Sequence, residues 1–268
     1  MSNIVIQNLG KVFDGAAKTG GVVALESITC DIPQGEFFCI IGPSGCGKST
    51  LLNILAGFTQ PTTGTVTNGG RPILGPGPDR TVMFQEYGLF PWMTVRQNIE
   101  FGLKAKGMGA KECAEIVGAY IELVSLVGFE DRYPHQISGG MKQRVSIARA
   151  LAPDPDIVLM DEPFAALDSL TRDVMQEEIL RIWGGAKKTF VLITHNIDEA
   201  IFLGDRVLVM THRPGHIKQI LSIDIPRPRD PSIRSIDPRF LGYREHLANL
   251  LRREVDDFVT DEAQRRHA

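Results

Sequence analysis

The chain has 268 residues, 43% hydrophobic and 23% charged, with a formal net charge of −3. That length supports a sizeable core, and the slight acidic balance argues against a sequence-independent nucleic-acid binder, which carries a strong basic excess. No apolar run approaches the roughly 20 residues that cross a bilayer. The start, Met1-Ser2-Asn3-Ile4, lacks the charged and apolar regions of a secretory leader, so the chain is expected to stay where it is made. The four cysteines, Cys30, Cys39, Cys46 and Cys113, fall in no metal-ligand spacing. They read as reduced, buried thiols, with Cys30 and Cys39 flanking a turn that could make them neighbours.

In chain order, strand patterns appear at Ile4–Ile6, Val22–Leu25 and Ile28–Ile32. Pro33-Gln34-Gly35 makes a turn, and the continuous apolar run Phe37–Ile41 fits a strand buried on both faces of a parallel sheet. Ser49–Ala56 has helical composition, and Phe58–Arg80, rich in glycine and proline, reads as a hairpin and loop. Thr81–Phe84 is another strand. From Tyr87 to Pro155 the character is helical, and in Ala110–Val127 the residues Ile116, Tyr120, Leu123, Val124 and Val127 keep a helix-face spacing. Strands return at Ile157–Met160, Phe190–Thr194 and Val207–Met210. After Asp224 a proline-rich stretch reads as a linker to a last helix, striped by Phe240, Tyr243, Leu247, Leu250, Leu251, Val255 and Phe258. That stripe fits docking on its own domain or a dimer or regulatory contact. The whole predicts an α/β sheet interrupted by a helical insertion at about 87–156, within a domain over 1–228, followed by linker and helix at 229–268.

Gly42-Pro43-Ser44-Gly45-Cys46-Gly47-Lys48-Ser49, followed by Thr50, fits G-x-x-x-x-G-K-[ST] between a strand and a helix. Glycines let backbone N–H groups curl around phosphate oxygens, and the helix adds its positive N-terminal end. This predicts a cradle for MgATP, with Lys48 neutralising β- and γ-phosphate charge and the Ser49 hydroxyl on Mg²⁺. Ile157–Met160 leads into Asp161 and Glu162. Asp161 is expected to hold Mg²⁺ through a water, and Glu162 to polarise the attacking water as a general base. Ser138-Gly139-Gly140 opens a further helical run, Met141–Leu151, and so makes a second anion-binding helix start. One nucleotide has no need of two such cradles from one chain. Two chains packed head to tail use both.

With these motifs the sequence resembles the ATP-binding subunits of ABC transporters over roughly residues 4–225, and it carries the family's order: phosphate loop, Met83-Phe84-Gln85-Glu86, Ser138-Gly139-Gly140, Asp161-Glu162-Pro163, Ala166-Leu167-Asp168 and Thr194-His195. The resemblance implies a P-loop NTPase with a RecA-like core, an N-terminal antiparallel β lobe and an inserted helical lobe. It implies that Gln85 contacts Mg²⁺ or the attacking water, that His195 bonds the γ-phosphate, and that Asp168 lies near the opposing subunit. Phe13 sits where the family stacks an aromatic on adenine; a core phenylalanine is the alternative. Met141 and Lys142 depart from the family's commoner glutamine-rich continuation, which touches fine tuning rather than nucleotide contact.

Gly75–Arg80, Leu89–Val95, Asp161–Asp168 and Arg213–Ile217 look like the branch that imports nitrate, sulfonates and taurine. The family meets its permease near Trp92, although Phe90 and Trp92 also fit core packing. The resemblance therefore implies a peripheral ATPase at the cytoplasmic membrane face. Its expected partners are a second copy, a permease pair and, indirectly, a solute-binding protein, and no nucleic acid. An export motor or a soluble ABC ATPase is the rival; the long coiled coils or paired motor domains usual in the latter do not appear here.

Overall fold

The computed structural model describes residues 3–14, 21–84, 87–165, 167–186 and 188–267, with side chains described as far as Glu254 except at Ala186. In chain order these form β1 (Ile4–Phe13), β2 (Val22–Ile32), β3 (Phe37–Ile41), α1 (Lys48–Ala56), β4 (Thr63–Asn68), β5 (Arg71–Pro72) and β6 (Arg80–Met83). Next come α2 (Val95–Ala105), α3 (Ala110–Leu123), a 3-10 turn at Pro134–Gln136, α4 (Gly139–Leu151), β7 (Ile157–Asp161) and α5 (Ser169–Ala186). Then follow β8 (Thr189–Ile193), α6 (Ile197–Leu203), β9 (Arg206–Met210), β10 (Ile217–Ser222), α7 (Ile233–Ile236) and α8 (Pro238–His267). The chain divides into one unit of Met1–Pro76 with Thr189–Ala268 and a second of Gly77–Lys188.

The first unit contains an antiparallel sheet in the order β2-β1-β4-β5. The two apolar runs at 22–25 and 28–32 form one strand rather than two. Between the pairs Leu9↔Ile28 and Lys11↔Leu25 the register shifts, and Ser27 takes φ 52° there, so a bulge carries β2 through. The hairpin expected within Phe58–Arg80 is formed by β4 and β5, Thr67↔Pro72 and Asn68↔Arg71, and β4 also pairs with β1, Ile4↔Asn68 to Gly10↔Thr63. Beside this sheet, β3 lies parallel between β8 and β9, and β10 runs antiparallel to β9. β3 and β8 are buried at every position, as a continuous apolar run requires, and the rings of Phe37 and Phe190 stand 5.5 Å apart.

Glu36 is a buried acid at the entry to β3, 3.3 Å from Arg206. Burial pushes its carboxyl up to about 7, only partly opposed by the Arg206 charge. The folded protein thus holds this proton to higher pH than the unfolded chain, whose glutamates titrate near ~4.3. The associated stability is complete below that value and is lost as the pH climbs through about 7. Glu36→Gln is expected to remove that slope: its thermal midpoint relative to wild type rises between pH 5 and pH 8. A constant difference across that range overturns the assignment.

The proline-rich stretch after Asp224 is pinned to the unit rather than free. Ile223 and Ile225 are buried, and buried Arg229 donates to the carbonyls of Ile201, Phe202 and Gly204 at 2.7–3.0 Å. Arg227 takes the Leu203 carbonyl and pairs with Asp205. These two arginines close the C-terminal end of α6, where helical carbonyls lack backbone partners. α8 docks on its own unit: Phe240 and Leu247 are fully buried, and Arg244 grips Asp198 of α6 through two bonds of 2.6 and 2.9 Å. Val255 and Phe258, the end of the expected stripe, lie outside the described side chains.

In the second unit β6 and β7 pair in parallel, Arg80↔Ile157 to Met83↔Met160. A helical core forms from Val95, Ile99 and Leu103 of α2, Cys113, Val117 and Ile121 of α3, and Val145 and Ala148 of α4. The buried face of α3 is therefore offset from the stripe expected from sequence. Ile116 and Tyr120 flank it, Val124 belongs to it, and Val127 is exposed because Ser125 at φ 55° ends the helical path before it. The cysteines are free and buried in both units. Among the described residues no helix is long and apolar enough to cross a membrane.

Candidate active site

The glycine-rich loop Gly42–Gly47 leaves the end of β3 and turns into α1. Gly47 is forced to be glycine: φ is 102°, and a Cβ there would stand 2.6 Å from Leu25 Cδ2. No side chain caps the start of α1, which leaves its first turn to be met by an anion. Ser44, Gly45 and Ser49 are exposed, whereas Cys46 and Lys48 are buried. The Lys48 ammonium donates to the carbonyls of Gly42 and Pro43 at 2.8 and 2.9 Å and approaches Cys46 Sγ at 3.8 Å. These partners are dipoles, and none neutralises the charge. A buried cation on a bare helix start suits a phosphate chain. Burial raises the Cys46 thiol, with Lys48 opposing, so this cysteine stays protonated and unreactive.

In the same unit, His195 is exposed between two anchored residues. Thr194 Oγ1 donates to buried Glu199 at 2.6 Å and accepts the Asn196 N–H at 3.0 Å. Asn196 caps α6 through the N–H groups of Asp198 and Glu199 at 2.9 and 3.3 Å. Sequence reading missed this bracing, although Asn before Ile-Asp-Glu is a helix-start signal. Phe13, at the end of β1, is 42% exposed, with Lys11 Nζ 5.0 Å from its ring centre. It is not a core residue.

In the second unit Asp161 ends β7, and Glu162 follows at φ 48°, a left-handed value that residues other than glycine rarely adopt. Such strain collects where a side chain must be aimed. The Glu162 carbonyl accepts the Ala165 N–H at 3.2 Å, closing the turn. Asp168 is exposed; a hydrogen bond from the Thr171 side chain, then one from the Thr171 N–H at 3.1 Å, holds its carboxyl below the usual range, and the N–H bond caps α5. Ser138 caps α4, its Oγ accepting the Met141 N–H at 3.3 Å, and Gly139 beside it is exposed. Buried Asn98, which sequence reading passed over, bonds the backbone of Phe90, Met93 and Thr94. It fixes the segment that carries Trp92, 69% exposed and so no core residue, against half-buried Phe90. Gln85, Glu86 and Ala166 lie outside the described residues.

The family model described as ABC transporter matches residues 25–165. The chain belongs to the ABC transporter family. It is an ATP-binding subunit and an ATPase of the P-loop α/β fold. Across 93% of its length this ABC subunit is 52% identical to an uncharacterized ABC transporter ATP-binding protein of Methanocaldococcus jannaschii, covering 91% of that protein. It is 46% identical to a nitrate import ATP-binding protein of Synechocystis, over 95% of this chain and 97% of the relative. Among solved structures it resembles a dimeric ATP-binding cassette in a post-hydrolysis state with ADP and Pi. That likeness has a TM-score of 0.73 and 30% identity, covering 83% of this ABC subunit and the whole of the other chain.

Proposed function

We propose that this ATPase drives an importer for a small oxyanion-like solute of the nitrate, sulfonate and taurine class. The carrying observation is 46% identity, nearly end to end, with a nitrate import ATP-binding protein. Two copies pack head to tail around two ATP molecules, and their closing and reopening turns a separate permease pair. The subunit sits peripherally on the cytoplasmic membrane face, and a solute-binding protein delivers the solute outside.

In each site the backbone of Gly42–Thr50 (Gly42, Pro43, Ser44, Gly45, Cys46, Gly47, Lys48, Ser49, Thr50) wraps the phosphates, with Lys48 on the β- and γ-groups and Phe13 against adenine. Ser138, Gly139 and Gly140 of the second copy face the γ-phosphate. A hydroxyl keeps its own proton while accepting, so Ser138 caps α4 and donates to phosphate at once. Asp168 stands near the opposing subunit, and His195 bonds the γ-phosphate. Glu162 takes a proton from the attacking water as the water oxygen bonds to the γ-phosphorus and the β–γ bridging oxygen leaves with ADP. Ser49, Asp161 and Gln85 are hard oxygen donors of the kind Mg²⁺ takes, few enough to leave positions for phosphate oxygens. Mg²⁺ held by these residues would neutralise phosphate charge.

The test is reconstitution of the chain with its permease in vesicles. ATP hydrolysis that rises when a nitrate-loaded binding protein is added outside, with nitrate accumulating inside, is the expected result. Hydrolysis indifferent to that protein, or solute moving outward, overturns the importer reading in favour of an export motor.

A further inference from the structure

Arg213, in the loop after β9, reaches the phosphate loop. Its Nε donates to the Gly45 carbonyl at 3.2 Å, and a Cβ built on Gly45 would meet its Nη2 at 3.9 Å. Gly45 has φ 76° and no side chain to settle the orientation of its peptide. Across a trans peptide the carbonyl and the next N–H point opposite ways. Holding the Gly45 oxygen therefore aims the Cys46 N–H, which is otherwise restrained by a long 3.4 Å bond to Pro43.

Arg213 is itself anchored from the far end of the chain. The Gly215 N–H donates to Ala24 at 3.0 Å, the Glu26 N–H to Gly215 at 3.1 Å, and Thr211 Oγ1 to Pro214 at 3.3 Å. On the other side Glu254 of α8 accepts the His212 N–H at 3.2 Å and pairs with Lys218 at 2.8 Å. Glu254 is 6% exposed and continues the stripe of Phe240 and Leu247 at seven-residue steps. A carboxylate on that stripe costs desolvation that an apolar side chain avoids. Its two bonds offset the cost by fixing the peptide that leads into Arg213.

We infer that Arg213 is a positioning residue for the phosphate loop and that Glu254 of the C-terminal helix holds it in place, so that α8 sets nucleotide affinity. The inference rests on the assignment of Gly42–Thr50 to ATP phosphates. A guanidinium suits the task because its planar fork fixes direction, whereas a lysine supplies only a mobile point charge.

The experiment is titration of the full chain with MgATP by calorimetry, with thermal midpoints measured alongside. Arg213→Ala is expected to weaken binding about tenfold, the size of one charge-assisted hydrogen bond. Glu254→Gln is expected to weaken it about threefold, and the double variant to match Arg213→Ala alone, because residues acting through one another are not additive. Arg213→Lys is expected to stay weaker than wild type. Full recovery by lysine means that charge rather than peptide orientation matters, and overturns the inference. So does a wild-type affinity in Arg213→Ala, or additive losses in the double variant. If Arg213→Ala does not fold, Arg213→Lys and Glu254→Gln decide by the same criteria. A wild-type chain that fails to bind ATP overturns the phosphate-loop assignment itself, and this inference with it.

Discussion

Glu162→Gln is expected to bind MgATP like wild type and to hydrolyse it about 10³-fold more slowly, the size of a lost general base. The carboxamide keeps the shape of the side chain and one acceptor oxygen, but it does not take a proton from water. The substitution should leave the site otherwise intact, because the φ of 48° at Glu162 is set by a turn closed through its own carbonyl. Held before hydrolysis, the variant is expected to pass from monomer to dimer in ATP, which mass measurement in solution reads directly. Hydrolysis within tenfold of wild type removes Glu162 from the role of proton acceptor. Lys48→Ala gives the opposite pattern, losing about 10²-fold in ATP affinity as charge-assisted bonds to phosphate go, and never dimerising. A nucleotide titration of both variants separates cleavage from binding.

The features that sequence made legible are those fixed by local chemistry. Phe37–Ile41 had to be a buried strand because no half-solvated strand is apolar throughout, and the glycines that follow had to be a turn. The strand–turn–helix path of Gly42–Lys48 was therefore readable from sequence. What escaped depends on distant partners. The hairpin around Thr63–Asn68 was legible, but its pairing with β1 was not, and the α3 stripe shifts because α2 and α4, not the helix alone, choose which face is covered. Asp168 was read only for its place in a family motif, yet its carboxyl also caps α5, a local role that Asp-Ser-Leu-Thr announces. Arg213 belongs to a stretch noticed for its kinship alone. Its contact with Gly45 spans 168 positions of sequence, and nothing in the spacing predicts it.

The stretch containing Arg229 shows the same limit with the largest structural consequence. Prolines at 226, 228 and 231 suggest a linker, but an arginine set among them fills the end of α6. Burial lowers its pKa to about 10, which still leaves it charged at neutral pH, and carbonyls from Ile201 to Ile225 take the place of water around it. Arg229→Ala strips these acceptors of their donor in a dry place, where each orphaned group costs about 1–3 kcal/mol. Partial relaxation and entering water reduce the sum, so the expected loss is roughly 3 kcal/mol, or about 6–12 °C in thermal midpoint for a chain of this size. Arg229→Lys should recover only a minor part, since one ammonium does not span acceptors spread around a planar fork. Arg227→Ala should cost less, because that guanidinium is less buried and shares its load with Asp205. A thermal midpoint for Arg229→Ala within 2 °C of wild type would mean that the carbonyls find other donors and that the proline-rich stretch is dispensable to the fold.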